Sequence, residues 1–403
     1  MSAAAAVLLA RADRIAAATD QPGTITRLYG RAGLRRARAE VAGWMRLAGL
    51  ETRIDGVGNL TGCWPGDAAG PPLVIGSHID TVPNGGRYDG VLGVLAGLAA
   101  AERLARSGRR LACPLHVVAF VEEEGARFGT SFLGSRGWLG MADPADERLV
   151  DSNGVTLAEA VADFAGPDAG FARPPGDYLE VHIEQGPVLD AAGLPLGVVD
   201  SIIGQTRAVI RLEGAAGHAG TVPMDHRRDA LGAAAEIVLE VERLARRTRG
   251  LLATVGELAV PGGVGNVVPG AAVASLDVRH ADDDVRRTAT ETIRSVALDL
   301  AGRRRIAIEF ELLSEVAATP LEPRLTDALR RAAEATTGAS VPTVSSGAGH
   351  DGVIVARVAP VGMLFVRCAA GISHSPDEAV GVDDVAAALA TLDLFIDGYG
   401  PTA

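Results

Sequence analysis

Residues 73–98 read LVIGSHIDTVPNGGRYDGVLGVLAGL, and the order of residue types in this stretch decides the fold class. Leu73–Gly76 is a short apolar run suited to a buried strand, whereas Val91–Arg106 carries a helical pattern. Between them lies a Gly-rich segment holding His78, Asp80 and Asp89. Strand, polar loop and helix in succession point to an α/β protein, whose sites form at the carboxyl ends of its strands. A further apolar run, Leu115–Val121, follows and ends in Glu122, Glu123 and Glu124, so a central sheet is expected.

From about Arg207 the rhythm changes. The pattern predicts strand Ala208–Leu212, helix Asp225–Arg247, strands Leu251–Val260 and Val273–Arg279, helix Asp282–Leu300 and strand Ile306–Leu312. That β-α-β-β-α-β order is ferredoxin-like. Leu231, Ala234, Val238, Val241 and Ala245 recur at helical spacing, Val285, Ala289, Ile293, Val296 and Leu300 repeat it, and Ile306, Ile308, Phe310 and Leu312 alternate as in a one-faced strand. After Pro320 and Pro323 the α/β rhythm returns. The expectation is an α/β catalytic domain with a central mixed sheet, discontinuous over residues 1–206 and 319–403, interrupted by a smaller domain over 207–318.

Composition removes several chemistries. All 38 basic residues are arginine, so Schiff-base lysines, P-loop lysines and lysine general bases are excluded. The formal charge is −12 and no basic run is dense enough to track phosphates, which argues against nucleic acid and anionic membrane partners. Cys63, Cys113 and Cys368 are far apart and lack C-x-x-C spacing, so any metal must rest on histidines and carboxylates. No run reaches the roughly 18 apolar residues of a membrane span, and the Ala-rich start lacks a basic leader region; a cytoplasmic protein is expected.

Only eight histidines are available. His78 and Asp80, two apart on extended backbone, share a face, so His78 can bind a metal while Asp80 orients its other ring nitrogen. Asp89 precedes a helix and could be its N-cap; the flanking glycines equally let it sit between two cations. Adjacent carboxylates at Glu122–Glu124 are costly at a buried strand end unless cations neutralise them, the alternative being a solvated acidic edge. His182 lies in LEVHIEQGPVLD and His374 in GISHSP. Together His78, Asp89, Glu124, His182 and His374 supply nitrogen and oxygen ligands for two divalent ions, with Asp89 between them and a position left for water.

The segments GSHIDTVPNGGRYDGVLGVLAGL, FVEEEGARF, EVHIEQGPVL, GAAGHAGTVPM, SGAGHDG and GISHSP resemble the hydantoinase/carbamoylase branch of the dinuclear zinc aminoacylase/peptidase-like hydrolases, over about residues 50–380. That branch includes N-carbamoyl-L-amino acid hydrolases, β-ureidopropionases and allantoate amidohydrolases. The resemblance implies one metal on His78 and His182, the other on Glu124 and His374, Asp89 bridging, and Glu123 as general base. Zinc is the first expectation, with manganese or cobalt as alternatives. It also implies homodimers built through the inserted domain, which serves as a lid. His218, in GHAG, would help stabilise the oxyanion, and Gln185, Asn266 and Arg279 would bind the substrate's carboxylate and polar groups. For Arg279 a surface ion pair with Asp277 is the competing reading. His350, with Asp351 beside it, would line the pocket. The expected activity is metal-dependent cleavage of the ureido C–N bond of N-carbamoyl-L-amino acids, with Glu123 moving the proton. Allantoate amidohydrolase, aminoacylase or dipeptidase, and a non-catalytic metal-binding dimer are the alternatives.

Overall fold

The computed structural model describes residues 2–168 and 175–399. Its contacts divide into two units, one made of residues up to Asp200 and from Leu321 onward, the other of Ser201–Pro320.

The larger unit begins with helices α1 (Ala3–Ala17) and α2 (Ala32–Leu47) and strands β1 (Glu51–Ile54), β2 (Leu60–Trp64) and β3 (Leu73–His78). Helix α3 (Val91–Ser107), strand β4 (Leu115–Phe120), helices α4 (Leu133–Trp138) and α5 (Leu157–Phe164), strand β5 (Asp177–Ile183), helix α6 (Val188–Ala192) and strand β6 (Leu196–Ile202) follow. The smaller unit carries β7 (Gly204–Glu213), β8 (Gly217–His218), α7 (Ala230–Arg247), β9 (Leu252–Thr254), β10 (Leu258–Ala259), β11 (Val267–Val268), β12 (Ala271–His280), α8 (Asp283–Arg304), β13 (Ala307–Val316) and β14 (Thr319–Pro320). The chain then completes the larger unit with α9 (Pro323–Thr337), β15 (Thr343–Ser346), α10 (Gly352–Val355), β16 (Val361–Val366) and α11 (Val382–Gly398).

In the larger unit the sheet order is β1-β2-β4-β3-β5-β16-β6, with β15 also on β6. The four central strands, β4, β3, β5 and β16, run parallel, and antiparallel strands flank them on both sides. The sheet is therefore mixed. Every residue of β3 and β5 is buried, as befits parallel strands covered on both faces. Helix α3 packs on β3, β4 and β5, while α9 and α11 pack on β16 and on each other. The result is one continuous apolar core running from Ala5 to Ile396.

In the smaller unit the order β10-β12-β7-β13 is antiparallel throughout, with α7 and α8 closing a separate core. Details depart from the sequence pattern. The strand expected over 251–260 is split into β9 and β10, because three residues (255–257) stand against two of β12, a bulge at Gly256. Helix α7 starts at Ala230 rather than Asp225: Pro223 leads into a 3₁₀ turn, Met224–His226, and the Asp229 side chain accepts the Gly232 N–H as the true cap. Its buried stripe is Ala230, Ala233, Ala234, Ile237 and Val241, so Leu231 and Val238 stand at the margin. Leu312 pairs with the buried Ala208, as the alternation requires, yet is 53 % exposed, and just beyond it β13 shifts register against β7, between Leu312 and Ser314. The junctions expected at 206/207 and 318/319 lie inside the unit, because β7 already begins at Gly204. Among the described residues no helix is long and apolar enough to cross a membrane.

Candidate metal centre

The four parallel strands each deliver chemistry at the carboxyl end. His78 is the last residue of β3, Glu123 and Glu124 follow β4, His182 is the sixth of seven residues in β5, and His374 lies beyond β16 after a 3₁₀ turn, Ala369–Gly371. Asp89 comes from the loop between β3 and α3. It is not a cap: α3 begins after Gly90 with no side-chain cap bond.

The five side chains converge. Asp89 Oδ1 is 3.4 Å from His78 Nε2 and 3.3 Å from His182 Nε2. Its Oδ2 is 3.2 Å from His374 Nε2, which is also 3.2 Å from Glu124 Oε1. Two ligand groups thus share Asp89: His78 with His182, and Glu124 with His374, each group's atoms lying within 4.8 Å of one another. A third group, His78 with Glu123 and Glu124, overlaps them; here Glu123 Oε2 stands 4.0 Å from His78 Nε2.

The donor set fits divalent cations. His182 Nδ1 lies 2.9 Å from the Ile183 carbonyl oxygen, which holds the ring N–H, and Gly90 N–H donates to Nε2 at 3.2 Å. Nε2 is thus an acceptor, and it lies 3.3 Å from Asp89 Oδ1, a buried acceptor with no hydrogen-bond partner. Two acceptors facing one another in a dry site call for a cation between them. With no cation between them, the carboxylates instead favour a proton on the imidazoles. Burial opposes charge on His78, yet Asp80 and Asp89 hold its pKa well above the ordinary value. His374, paired with Asp89 and Glu124, is pushed up to about 10. Burial would raise Asp89, but His182, His374 and His78 keep it well below the usual carboxylate range. Glu123 behaves in the opposite way: burial, with Glu124 and Asp351 nearby, raises its carboxyl well above normal despite the His78 charge.

Asp80 does more than orient His78. Its Oδ1 is 3.6 Å from His78 Nδ1, which lies closer, at 3.3 Å, to the Asp80 carbonyl oxygen. Its two carboxylate oxygens accept the backbone N–H groups of Glu123 and Glu124 at 3.2 Å each, locking the end of β4 to the end of β3. Gln185 Nε2 donates to Asp89 Oδ2 at 2.9 Å. His350 is 1 % exposed, so it sits behind His182 rather than on an open wall: the ring centroids are 4.5 Å apart, and its Nε2 meets the Ser346 hydroxyl at 2.8 Å.

His218, Asn266 and Arg279 belong to the smaller unit. The β8–β11 pairing brings the first two together, Ala219 N–H donating to the Asn266 carbonyl oxygen at 2.9 Å, and His218 and Asn266 are both exposed. Arg279 Nε and Nη2 fork onto Asp277 at 2.8 and 3.0 Å, the ion pair that was the competing reading for this residue.

Some site features escape sequence reading. Glu122, Gln185 and His374 have φ of 54°, 57° and 54°, a left-handed conformation that side chains rarely adopt, and all three flank or supply the ligands. Arg27 is fully buried, with Nε on the Ile79 carbonyl oxygen at 2.8 Å, and supplies positive charge beneath Asp80, Glu378 and Asp89. Glu378, four residues after His374, is buried against Tyr88 and Asp89. Neither carries a motif; only the rarity of a buried arginine or glutamate marks them.

Residues 74–398 match the model of peptidase family M20/M25/M40. The chain is 42 % identical to an N-carbamoyl-L-amino acid amidohydrolase of Geobacillus stearothermophilus, over 88 % of each chain. It is 37 % identical to an allantoate deiminase of Arabidopsis thaliana, over 89 % of this chain and 76 % of that one. Among solved structures, an amidase of the hydantoinase/carbamoylase family from Burkholderia multivorans superposes with a TM-score of 0.92 at 32 % identity, over 97 % of both chains.

Proposed function

Because the chain belongs to peptidase family M20/M25/M40, we propose that it is a metal-dependent amidohydrolase that cleaves the ureido C–N bond of N-carbamoyl-L-amino acids, releasing the amino acid, ammonia and carbon dioxide. The observation that carries this is Asp89 shared by two His/carboxylate groups, with the raised carboxyl of Glu123 beside them. Two divalent cations, zinc in the first instance, would be held by His78, His182 and Asp89 and by Asp89, Glu124 and His374. When bound there, such ions supply Lewis acidity and an activated water at neutral pH.

The rest falls to the chain's own groups. Glu123, buried and ready to hold a proton, takes one from the attacking water and returns it to the departing nitrogen. Asp80 fixes the backbone of Glu123 and so the aim of that carboxylate. Gln185 steadies Asp89 while its Oε1, buried and without a partner, is left for a substrate N–H. His218 and Asn266, neighbours on the β8–β11 ladder, are the donors for the oxyanion and for polar groups of the substrate. Arg279, held by Asp277, is the reader of the substrate carboxylate. The smaller unit is read as the lid through which two copies pair.

The likeness to an allantoate deiminase favours allantoate as the second reading. A panel of N-carbamoyl-L-amino acids, allantoate and N-acetyl amino acids, offered to protein reconstituted with each of zinc, manganese and cobalt, decides between them. Turnover of carbamoyl amino acids is expected. Turnover of allantoate with none of any carbamoyl acid would hand the protein to the second reading, and inactivity on the whole panel would remove both.

A further inference from the structure

Glu378 lies far in sequence from the loop that carries Asp89, yet accepts two of its backbone N–H groups. Its Oε1 accepts the N–H of Tyr88 at 2.7 Å and of Asp89 at 3.1 Å. Its Oε2 accepts the Ser373 hydroxyl at 3.2 Å, and that same hydroxyl stands 2.9 Å from Asp89 Oδ2. One carboxylate therefore grips the backbone of Asp89, and the Ser373 hydroxyl, with its one hydrogen, stands between that carboxylate and the Asp89 side chain. The loop is shaped to admit it: a Cβ on Gly86 would stand 2.0 Å from the Glu378 carboxyl carbon, a distance no real packing tolerates. Glu378 is 3 % exposed and its neighbour is another carboxylate. A buried acid beside a buried acid costs desolvation and repulsion, which an apolar residue at this position would avoid.

We propose that Glu378 is the positioning residue for Asp89, setting the affinity of both cation positions at once. The inference rests on Asp89 as the shared ligand. Since Asp89 gives one oxygen to each group, a slack loop loosens both, whereas the loss of His374 loosens only one. Groups that orient a ligand from behind typically govern metal affinity by about 10- to 100-fold.

The test is a cobalt titration of the full-length, chelator-treated chain, read by visible absorption and calorimetry, with the melting temperature of the metal-free protein as a second readout. In Glu378→Ala, binding of both cobalt equivalents should weaken by at least about tenfold, while the metal-free melting temperature falls no further than in His374→Ala, which should weaken one equivalent only. Glu378→Gln keeps an oxygen for the two N–H groups and should recover most of the loss. Unchanged cobalt affinity in Glu378→Ala, a loss confined to one equivalent, or Glu378→Gln as weak as Glu378→Ala would each overturn the proposal. If Glu378→Ala does not fold, Gly86→Ala displaces the same carboxylate without deleting it, and wild-type binding of both equivalents there overturns it instead. Failure of the unmodified chain to bind cobalt at all would remove the reading of Asp89, and this inference with it.

Discussion

Gly90→Ala separates backbone strain from steric damage at the metal centre. Gly90 has φ 67° and ψ −48°, so any side chain there is strained, at roughly 1–3 kcal/mol. In addition, the new Cβ would stand 2.5 Å from Cγ, Cδ2 and Nε2 of His78, against an ordinary contact of 3.4 Å or more. The imidazole must retreat by about 1 Å, and a displacement of about 1 Å in a catalytic constellation costs on the order of 100-fold in rate, or about 2.7 kcal/mol of barrier. Gly108 is the matched control. It also has positive φ, 66°, at the end of α3, but nothing lies within 4 Å of its missing Cβ. Both variants should melt earlier; only Gly90→Ala should lose turnover, measured with saturating metal on the substrate that the panel identifies. Wild-type kcat in Gly90→Ala, or equal losses in the two variants, would refute the reading that the placement of the His78 ring governs turnover.

Glu123→Gln should retain both metal equivalents, since Glu123 lies outside the two groups that share Asp89, yet lose about 10²- to 10⁴-fold in kcat; near-normal rates sink its role as the base. The metal-free protein should also lose stability as pH rises from about 4.5 to 8, because burial pushes the Glu122 carboxyl up to about 8. Its folded pKa exceeds its unfolded one, so the folded state binds the extra proton and surrenders that advantage as pH climbs. Melting curves of Glu122→Gln over that range should fall less steeply, and an identical slope would dismiss the assignment.

Much of this was legible in the chain because it is local. LVIGSH is apolar enough to be a central strand, and its last residue had to emerge at the carboxyl edge, where His78 is found. The same logic delivered Glu123, Glu124 and His182. The alternation of β13 is legible and in phase as far as Leu312, whereas the register shift beyond it and the start of α7 at the Asp229 cap are set by neighbouring strands and turns. What stayed hidden is long-range or conformational. Nothing in SPDE announces that Glu378 reaches back to Asp89, and no residue type announces left-handed backbone at Gln185 or His374. Spacing pairs Asp80 with an imidazole because it sees side chains, whereas its firmest bonds are to main-chain N–H groups just after β4.

The chain leaves the larger unit at Asp200 and re-enters it at Leu321, and those two residues are hydrogen-bonded, Leu321 N–H to the Asp200 carbonyl oxygen at 2.8 Å. Just beyond them Ser201 pairs with Pro320 and Ile202 with Thr319. To the larger sheet, everything from Ser201 to Pro320 is an enlarged hairpin loop. A change in the length of that insertion, made beyond the paired residues, leaves the register of the central strands untouched, since those strands and their hydrogen bonds all lie outside it.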